Sequence, residues 1–138
     1  MARIDRRNPG FTLVEAAVVL TVGALLAACA WPSWRGHLLR SHRVEATLAL
    51  DAVERAQVRH LATTGRYAAR IEDLPGAPSG TTDKGRYRLS FVADGPDAWR
   101  ARAVAIGSQA DDHDCAAIEL QVRGAISERL PDAACWLP

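Results

Sequence analysis

The feature that most constrains this chain is an apolar run from Phe11 to Trp31 with one ionisable side chain, Glu15. As an α-helix rising about 1.5 Å per residue, the run would span roughly 30 Å, the thickness of the hydrocarbon core of a bilayer. A lone carboxylate in hydrocarbon costs several kcal/mol unless a partner compensates it. The run therefore predicts a membrane-embedded helix in which Glu15 needs a cationic partner.

Three arginines stand before the run: Arg3, Arg6 and Arg7. This bias predicts that the N-terminus is cytoplasmic and that the rest of the chain lies on the periplasmic side of the inner membrane. Gly10 precedes the apolar run, so cleavage after it would remove only the basic leader. The segment Ala27–Ala30 is also compatible with a conventional or lipoprotein cleavage site, with Cys29 lipidated. That alternative gives no role to Glu15 and is the weaker one.

The composition suits one small domain behind the anchor. The chain has 138 residues and a formal net charge of +1, which supplies no overall field to draw nucleic acid or an acidic substrate. Two cysteines, Cys115 and Cys135, lie in the exported part, where an oxidising compartment favours a disulfide. A loop of about 20 residues closed in this way contributes roughly 3 kcal/mol on the chain-entropy model. Cys29 is predicted to pack as a small apolar side chain.

The anchor is predicted to continue into a second, amphipathic half of the same helix. Pro32 removes one backbone hydrogen bond, so a kink is expected there rather than an end. The apolar residues of Val44–Leu61 share one helical face, with Asp51 and Arg55 spaced to pair on an exposed face. Gly65 suits the left-handed cap at the end of the helix. The result is one helix of about 50 residues.

The remainder reads as a loop followed by an antiparallel sheet. Prolines and glycines mark Gly65–Lys84 as a loop with a short turn at Ile71–Leu74. Alternating apolar and polar residues then predict four strands: Arg86–Ala93, Trp99–Ile106, Cys115–Val122 and Ala125–Glu128. The sheet is expected to cover the helix with Tyr87, Leu89, Phe91 and Trp99, and to place Arg100 and Arg102 together on one face. The fold class is α+β.

Two further polar clusters suggest no chemistry of their own. The first is a basic collar after the anchor, formed by Arg35, His37, Arg40, His42 and Arg43. It fits lipid headgroups and solvent better than a filament-surface or DNA-contacting patch. The second is the stretch Asp111–Cys115, which has no second ligand group at zinc spacing and too few oxygen donors for a calcium loop. It is interpreted as a polar loop, with weak calcium binding left open. No catalytic motif or cofactor site is predicted, and the chain is not expected to be an enzyme.

The sequence Gly10-Phe11-Thr12-Leu13-Val14-Glu15 resembles the processing site of type IV prepilins. The similarity continues through the Trp-Pro-Ser-Trp element at Trp31–Trp34 and through Arg43–Ala46 and Gly65–Tyr67. Cys115 and the late Cys135-Trp136 resemble the disulfide-closed region of short pilins in twitching pili. The resemblance implies a pilin fold, in which a long helix packs on a small antiparallel sheet with a C-terminal disulfide loop.

The resemblance also implies a life cycle. A prepilin peptidase would cut after Gly10 and N-methylate Phe11, and Glu15 would neutralise the amino group of Phe11 on a neighbouring subunit. The chain then divides into a leader (1–10), an assembly helix (11–31), an amphipathic half-helix (32–64) and a loop with sheet (65–138). The implied partners are other pilin subunits and an inner-membrane platform driven by an ATPase, with the extracellular pilus as the destination.

Several roles within and beyond this family stay open. The short variable region and the Cys-Trp ending favour a minor pilin of a pilus for twitching or adhesion over a major subunit. The arginine-rich strands and the tryptophans suggest a DNA-receptor pilin for transformation as the alternative. A type II secretion pseudopilin fits less well, because the major pseudopilin of that system generally lacks the cysteine-closed end. An anchored enzyme or metal-binding module at Asp112 and His113 is the remaining hypothesis.

Overall fold

The computed structural model describes residues 12–137, apart from the side chain of Pro32. The chain divides into two units, residues 1–35 and residues 36–138. Helix α1 runs from Leu13 to Thr64, 52 residues in all, and Glu15 is its one charged side chain before Arg35. Its first turn is capped by Thr12, whose hydroxyl oxygen accepts a hydrogen bond from the amide of Glu15 at 3.2 Å. This matches the T-x-x-E spacing of a capping box.

Helix α1 ends where the sequence predicts. Gly65 has φ of 75°, a conformation that costs little without a Cβ, and its amide donates to the carbonyl of Leu61 at 2.8 Å. A loop follows, with a single 3₁₀ turn at Ile71–Asp73. The predicted helix end and the short turn in the loop are both confirmed.

Four strands form one antiparallel sheet in the order β1-β2-β3-β4. Strand β1 spans Tyr87–Gly95, β2 spans Ala98–Ala105, β3 spans Ala117–Arg123 and β4 spans Ile126–Leu130. Two 3₁₀ turns, Gly107–Asp111 and His113–Cys115, join β2 to β3, and a short helix α2, Ala133–Trp136, closes the chain. Each predicted strand is present with its ends moved by up to two residues, and β2 matches the prediction most closely.

The core lies between the sheet and one face of α1. Ala46, Leu50 and Val53 on the helix are at most 2% exposed and pack with the inner face of the sheet. Trp99 and Tyr87 are the largest fully buried side chains, and Trp99 stacks near Phe91 with ring centroids 5.9 Å apart. Burying a large apolar side chain contributes about 1.5–3 kcal/mol, so these two rings anchor the domain.

One predicted ion pair forms with a different partner. Asp51 lies 3.6 Å from Arg129 of β4, and not at a pairing distance from Arg55. Arg129 also stacks over the ring of Trp136 at 5.0 Å. The prediction of an Asp51–Arg55 pair is wrong because β4 brings a cation from across the sheet, at a sequence separation that helix spacing cannot show.

Candidate assembly and interaction surfaces

The first surface is the apolar half of α1. This helix is long and apolar enough to cross a membrane by length and composition. Its large apolar side chains are exposed to solvent, among them Leu13, Leu20, Leu26 and Trp31. Glu15 lies in the first turn and is exposed, and its carboxylate pairs with no residue in the described part of the chain. A helix of this kind needs lipid or protein around it.

Three predicted site residues lie at or beyond the limits of the description. Gly10 and Phe11, the residues proposed for processing and methylation, fall outside residues 12–137. Pro32 lies within α1, whose helical backbone continues past it to Thr64. The kink expected there stays a prediction.

The second feature is a polar cluster that ties α1 to the disulfide loop. Cys115 and Cys135 form a disulfide that closes a separation of 20 residues, as the sequence predicted. The Arg43 guanidinium donates to both carboxylate oxygens of Asp112, at 2.8 and 2.7 Å, and to the carbonyl of Ala134 at 3.1 Å. One side chain therefore binds the backbone just before Cys135 and a carboxylate three residues before Cys115, on both sides of the disulfide.

This cluster is buried, and burial sets its electrostatics. Arg43 is 7% exposed and Asp112 is 6% exposed, and the hydrogen bonds that Arg43 donates to Asp112 raise the pKa of Arg43. Tyr87 packs beside them, where burial, followed by the charge of Asp112, raises its pKa to about 12. Gln109 completes the cluster by donating to the carbonyl of Leu39 at 3.0 Å.

Two sequence interpretations change as a result. Arg43 was predicted in an exposed basic collar, and this is wrong because its guanidinium is turned inward to Asp112. His42 is only half-exposed, and its Nδ1 lies 3.1 Å from Gln109 Oε1. In the stretch considered for metal binding, Asp112 is bound to Arg43 and Cys115 is oxidised with Cys135.

The third surface is the outer face of the sheet, which carries four arginines: Arg88, Arg100, Arg102 and Arg123. The strand register places these arginines in four successive rows of the outer face. Neighbouring rows are two residues apart along a strand, so the first row lies about 20 Å from the last. Arg100 pairs with Asp94 at 2.7 Å, and Arg102 lies 3.8 Å from Glu119. Arg88 and Arg123 form no ion pair with any of residues 12–137. The four arginines thus form a diagonal line across the sheet, and carboxylates neutralise the middle two, Arg100 and Arg102.

The tryptophans lie away from this line. Trp99 is 1% exposed in the core, and Trp136 is half-buried beneath Arg129. Trp99 is buried against the helix as predicted, so it presents no surface on the outer face of the sheet. Phosphate contacts through arginine remain as the chemistry this face can offer.

Comparisons with known proteins bear on the whole chain. Residues 32–119 match a family model described as "Type IV minor pilin ComP, DNA uptake sequence receptor", which is well over half of the chain. The chain belongs to the type IV pilin family. Residues 5–29 of the pilin also match the prokaryotic N-terminal methylation motif.

Curated relatives of the pilin are fibre proteins. It is 33% identical over 93 residues to the type IV major pilin protein PilA of Myxococcus xanthus, covering 67% of this chain and 42% of that protein. It is 28% identical over 94 residues to the type IV major fimbrial protein FimA of Dichelobacter nodosus, covering 68% of this chain and 58% of that protein. The pilin thus spans about two fifths to three fifths of the length of these relatives.

Two features were not predicted from the sequence: the Arg43–Asp112 pair and the diagonal of arginines. The two members of the pair are 69 residues apart, and nothing in the local pattern links them. For the diagonal, the alternation within β1 and β2 did signal outward arginines. Their alignment depends on the strand register, which a single sequence does not specify.

Proposed function

We propose that this pilin is a subunit of a type IV pilus, cut after Gly10, N-methylated at Phe11 and assembled through its long helix. The observation that carries the proposal is Glu15, a carboxylate in the first turn of an apolar helix and within the matched methylation motif. It is exposed and has no ion-pair partner among residues 12–137. Leaving a buried carboxylate unpaired in a fibre core is strongly unfavourable, whereas an ammonium from a neighbour compensates it. The amino group of a cleaved Phe11 is such an ammonium.

Before assembly the pilin would cross the inner membrane once, with its N-terminus in the cytoplasm. The basic leader supports this orientation. Prepilin peptidase, the assembly platform and its ATPase are the proposed partners, and the role is structural, without catalysis. On extraction, the apolar half of α1 would pass from lipid into a bundle of Phe11–Leu61 helices, so the helix need not meet water.

The test is to replace Glu15 by Gln in cells that express the pilin and to compare sheared surface fibres with the membrane pool. The matched control is Glu54→Gln, which removes a carboxylate from the same helix beyond the apolar segment. We expect Glu15→Gln to remain in the membrane while Glu54→Gln reaches the fibres like the unaltered chain. Equal amounts of both variants in the fibres would contradict the proposed role of Glu15.

A second function, DNA binding, is favoured by the arginine diagonal and by the description of the matched family model. Each phosphate neutralised by an arginine lowers the slope of log K against log salt by about 0.9. The two arginines without an ion pair among residues 12–137, Arg88 and Arg123, are therefore expected to give a slope of about −2 on duplex DNA.

The experiment is DNA retardation by the purified full-length pilin in detergent at several salt concentrations. Replacing Arg88 and Arg123 by Ala should reduce the slope by about two. The control replaces Arg55 and Arg59, exposed arginines of α1 that lie off the sheet, and should leave the slope unchanged. Absence of retardation at low salt would eliminate the DNA function while leaving the pilus function standing.

A further inference from the structure

Strand β1 lies at one edge of the sheet, and the first part of its outer edge is already paired. A single antiparallel bridge joins this edge to the segment 80–82 of the loop after α1. The Thr82 amide donates to the carbonyl of Tyr87 at 2.9 Å, and the amide of Leu89 donates to the carbonyl of Gly80 at 2.7 Å. The loop therefore covers the edge as far as Leu89, and this pairing ends at Gly80.

The next part of the edge, Phe91–Ala93, has no such cover. Leu89 bonds outward, and the alternation of an antiparallel ladder points the backbone groups of Phe91 and Ala93 the same way. Within residues 12–137, no backbone group bonds to the amides or carbonyls of these two residues on that side. The register shifts between Ala93 and Gly95, which ends the regular edge. An open edge of this kind is a template for a strand from another chain.

A cavity of about 70 Å³ opens beside Phe91. Its lining includes Ile71 and Pro78 of the loop, and also Ala101, the buried register partner of Phe91 on β2. The cavity thus leads from the free edge toward the core. A cavity of about 150 Å³ binds benzene, so this one is sized for an aliphatic side chain rather than for an aromatic ring.

An open cleft of about 830 Å³ adjoins the other end of the free edge. It lies between Ala93 on the strand and Arg66 and Tyr67 on the loop. Asp73 also lines this cleft, but it pairs with Arg70 at 3.3 Å. Arg66 forms no ion pair with any of residues 12–137, so the cleft offers a cation to an incoming carboxylate.

We propose that the free edge at Phe91–Ala93 binds an extended peptide segment of another protein, added antiparallel to β1. The backbone of the peptide pairs with the outward amides and carbonyls, as it does in other cases of strand addition, and side-chain pockets supply the selectivity. One aliphatic side chain enters the cavity beside Phe91. The antiparallel direction, which the segment 80–82 shares, places the N-terminal end of the peptide near Arg66, where an acidic residue fits.

The geometry of the edge separates this occupant from the others. An α-helix cannot make these bonds, because its own backbone groups already pair within the helix. Nucleic acid has no row of amides and carbonyls at strand spacing. The site therefore goes beyond fibre assembly and DNA binding, and it requires neither of them.

The probe is a series of fluorescently labelled peptides of sequence Asp-Thr-Val-Thr-X-amide, in which X is Gly, Ala, Val, Leu or Phe. In the proposed register, X lies opposite Phe91 and the aspartate lies on the side of Arg66. Binding to the full-length pilin in detergent is measured by fluorescence anisotropy. We expect Val or Leu at X to bind about tenfold or more tightly than Gly, as burial of one aliphatic side chain would give. Phe should gain nothing over Gly.

Ala93→Pro tests the backbone pairing. It removes an outward amide, and proline is tolerated on edge strands. Binding of the Val peptide should weaken by about tenfold or more, the effect of losing main-chain pairing. The matched control is Ser127→Pro, which removes an outward amide from β4, the opposite edge strand, and should stay within about twofold of the unaltered chain.

Ala101→Val tests the cavity, and it decides the matter where Ala93→Pro fails to accumulate. The added methyl groups fill the cavity from the core side, so this variant should bind the Gly peptide like the unaltered chain but lose the preference for Val at X. Absence of binding by every peptide, equal weakening by the two proline variants, or an unaltered preference in Ala101→Val would overturn the proposal. These measurements use the isolated chain, so such results would leave the proposed pilus function standing.

Discussion

At the scale of single residues, Arg43 is the side chain whose loss should cost most. It is buried, and its guanidinium holds both arms of the disulfide loop. Breaking a buried ion pair by removing one partner costs about 3–5 kcal/mol, because the other charge is left buried without compensation. Arg43→Met should therefore lower the free energy of unfolding of the full-length protein in detergent by about that amount.

The control for Arg43 is an ion pair at the surface. Arg70 pairs with Asp73 at 3.3 Å, but its side chain is 73% exposed. Arg70→Met should leave the free energy of unfolding essentially unchanged, because water screens an exposed ion pair. A double-mutant cycle of Arg43→Met with Asp112→Asn should show strong coupling, and additive effects would contradict the pairing.

Tyr87 should make the domain sensitive to alkali. Its pKa is raised from 10.0 to about 12, so folding favours the neutral phenol. The stabilisation is complete below pH 10, where the phenol is neutral in both states, and it is lost as pH rises from about 10 to 12. Near pH 7, Tyr87→Phe should unfold at nearly the same temperature as the unaltered chain. The hydroxyl that the substitution removes has no hydrogen-bond partner among the described residues.

The measurement is the melting temperature of both proteins across that alkaline range. The unaltered chain should lose more stability between pH 10 and about 12 than Tyr87→Phe does. Parallel curves for the two proteins would show that burial of Tyr87 does not perturb its ionisation.

At the scale of elements, the disulfide loop is expected to depend on its covalent bond. Closing a separation of 20 residues should contribute about 3 kcal/mol on the chain-entropy model. Cys115→Ser should lower the melting temperature of the full-length chain, and reduction of the unaltered chain should do the same. Cys29→Ser, which changes the free cysteine of α1, is the control and should have no such effect. An unaltered melting temperature for Cys115→Ser would refute the contribution of the bond.

Most elements could be predicted because their signals are local. The apolar run, the alternation in Tyr87–Phe91 and the glycine at position 65 each act over a few residues. Arg43 looked like a member of an exposed basic cluster, because its partner Asp112 lies far along the chain and meets it only in the folded domain. The burial of Trp99 could be predicted, because alternation puts Trp99 on the apolar face of its strand, opposite Arg100 and Arg102.

The opposite face of α1 shows a related limit. Val44 and Leu48 fit the apolar pattern of the amphipathic half, yet they lie away from the sheet. The sequence alone suggested a single cover for this helix. The second face becomes visible only once the sheet is placed, because helical periodicity does not tell how many neighbours a helix has.

At the scale of the whole molecule, two surfaces are proposed for two different environments. The apolar half of α1 with Glu15 would enter lipid and then the fibre core. The arginine diagonal on the sheet would stay accessible to phosphates. Assembly into a fibre requires that the chain is processed as a prepilin, so the state of its N-terminus is the central point.

The most direct test is the intact mass of the protein recovered from surface fibres, compared with the mass from the membrane pool of a strain in which Gly10 is replaced by a bulky residue. The account predicts a fibre protein that lacks Met1–Gly10, begins at Phe11 and carries one additional CH₂ on its amino terminus, and a bulky variant that keeps its leader. A fibre protein that still begins at Met1, or one cut beyond Ala28, would contradict it.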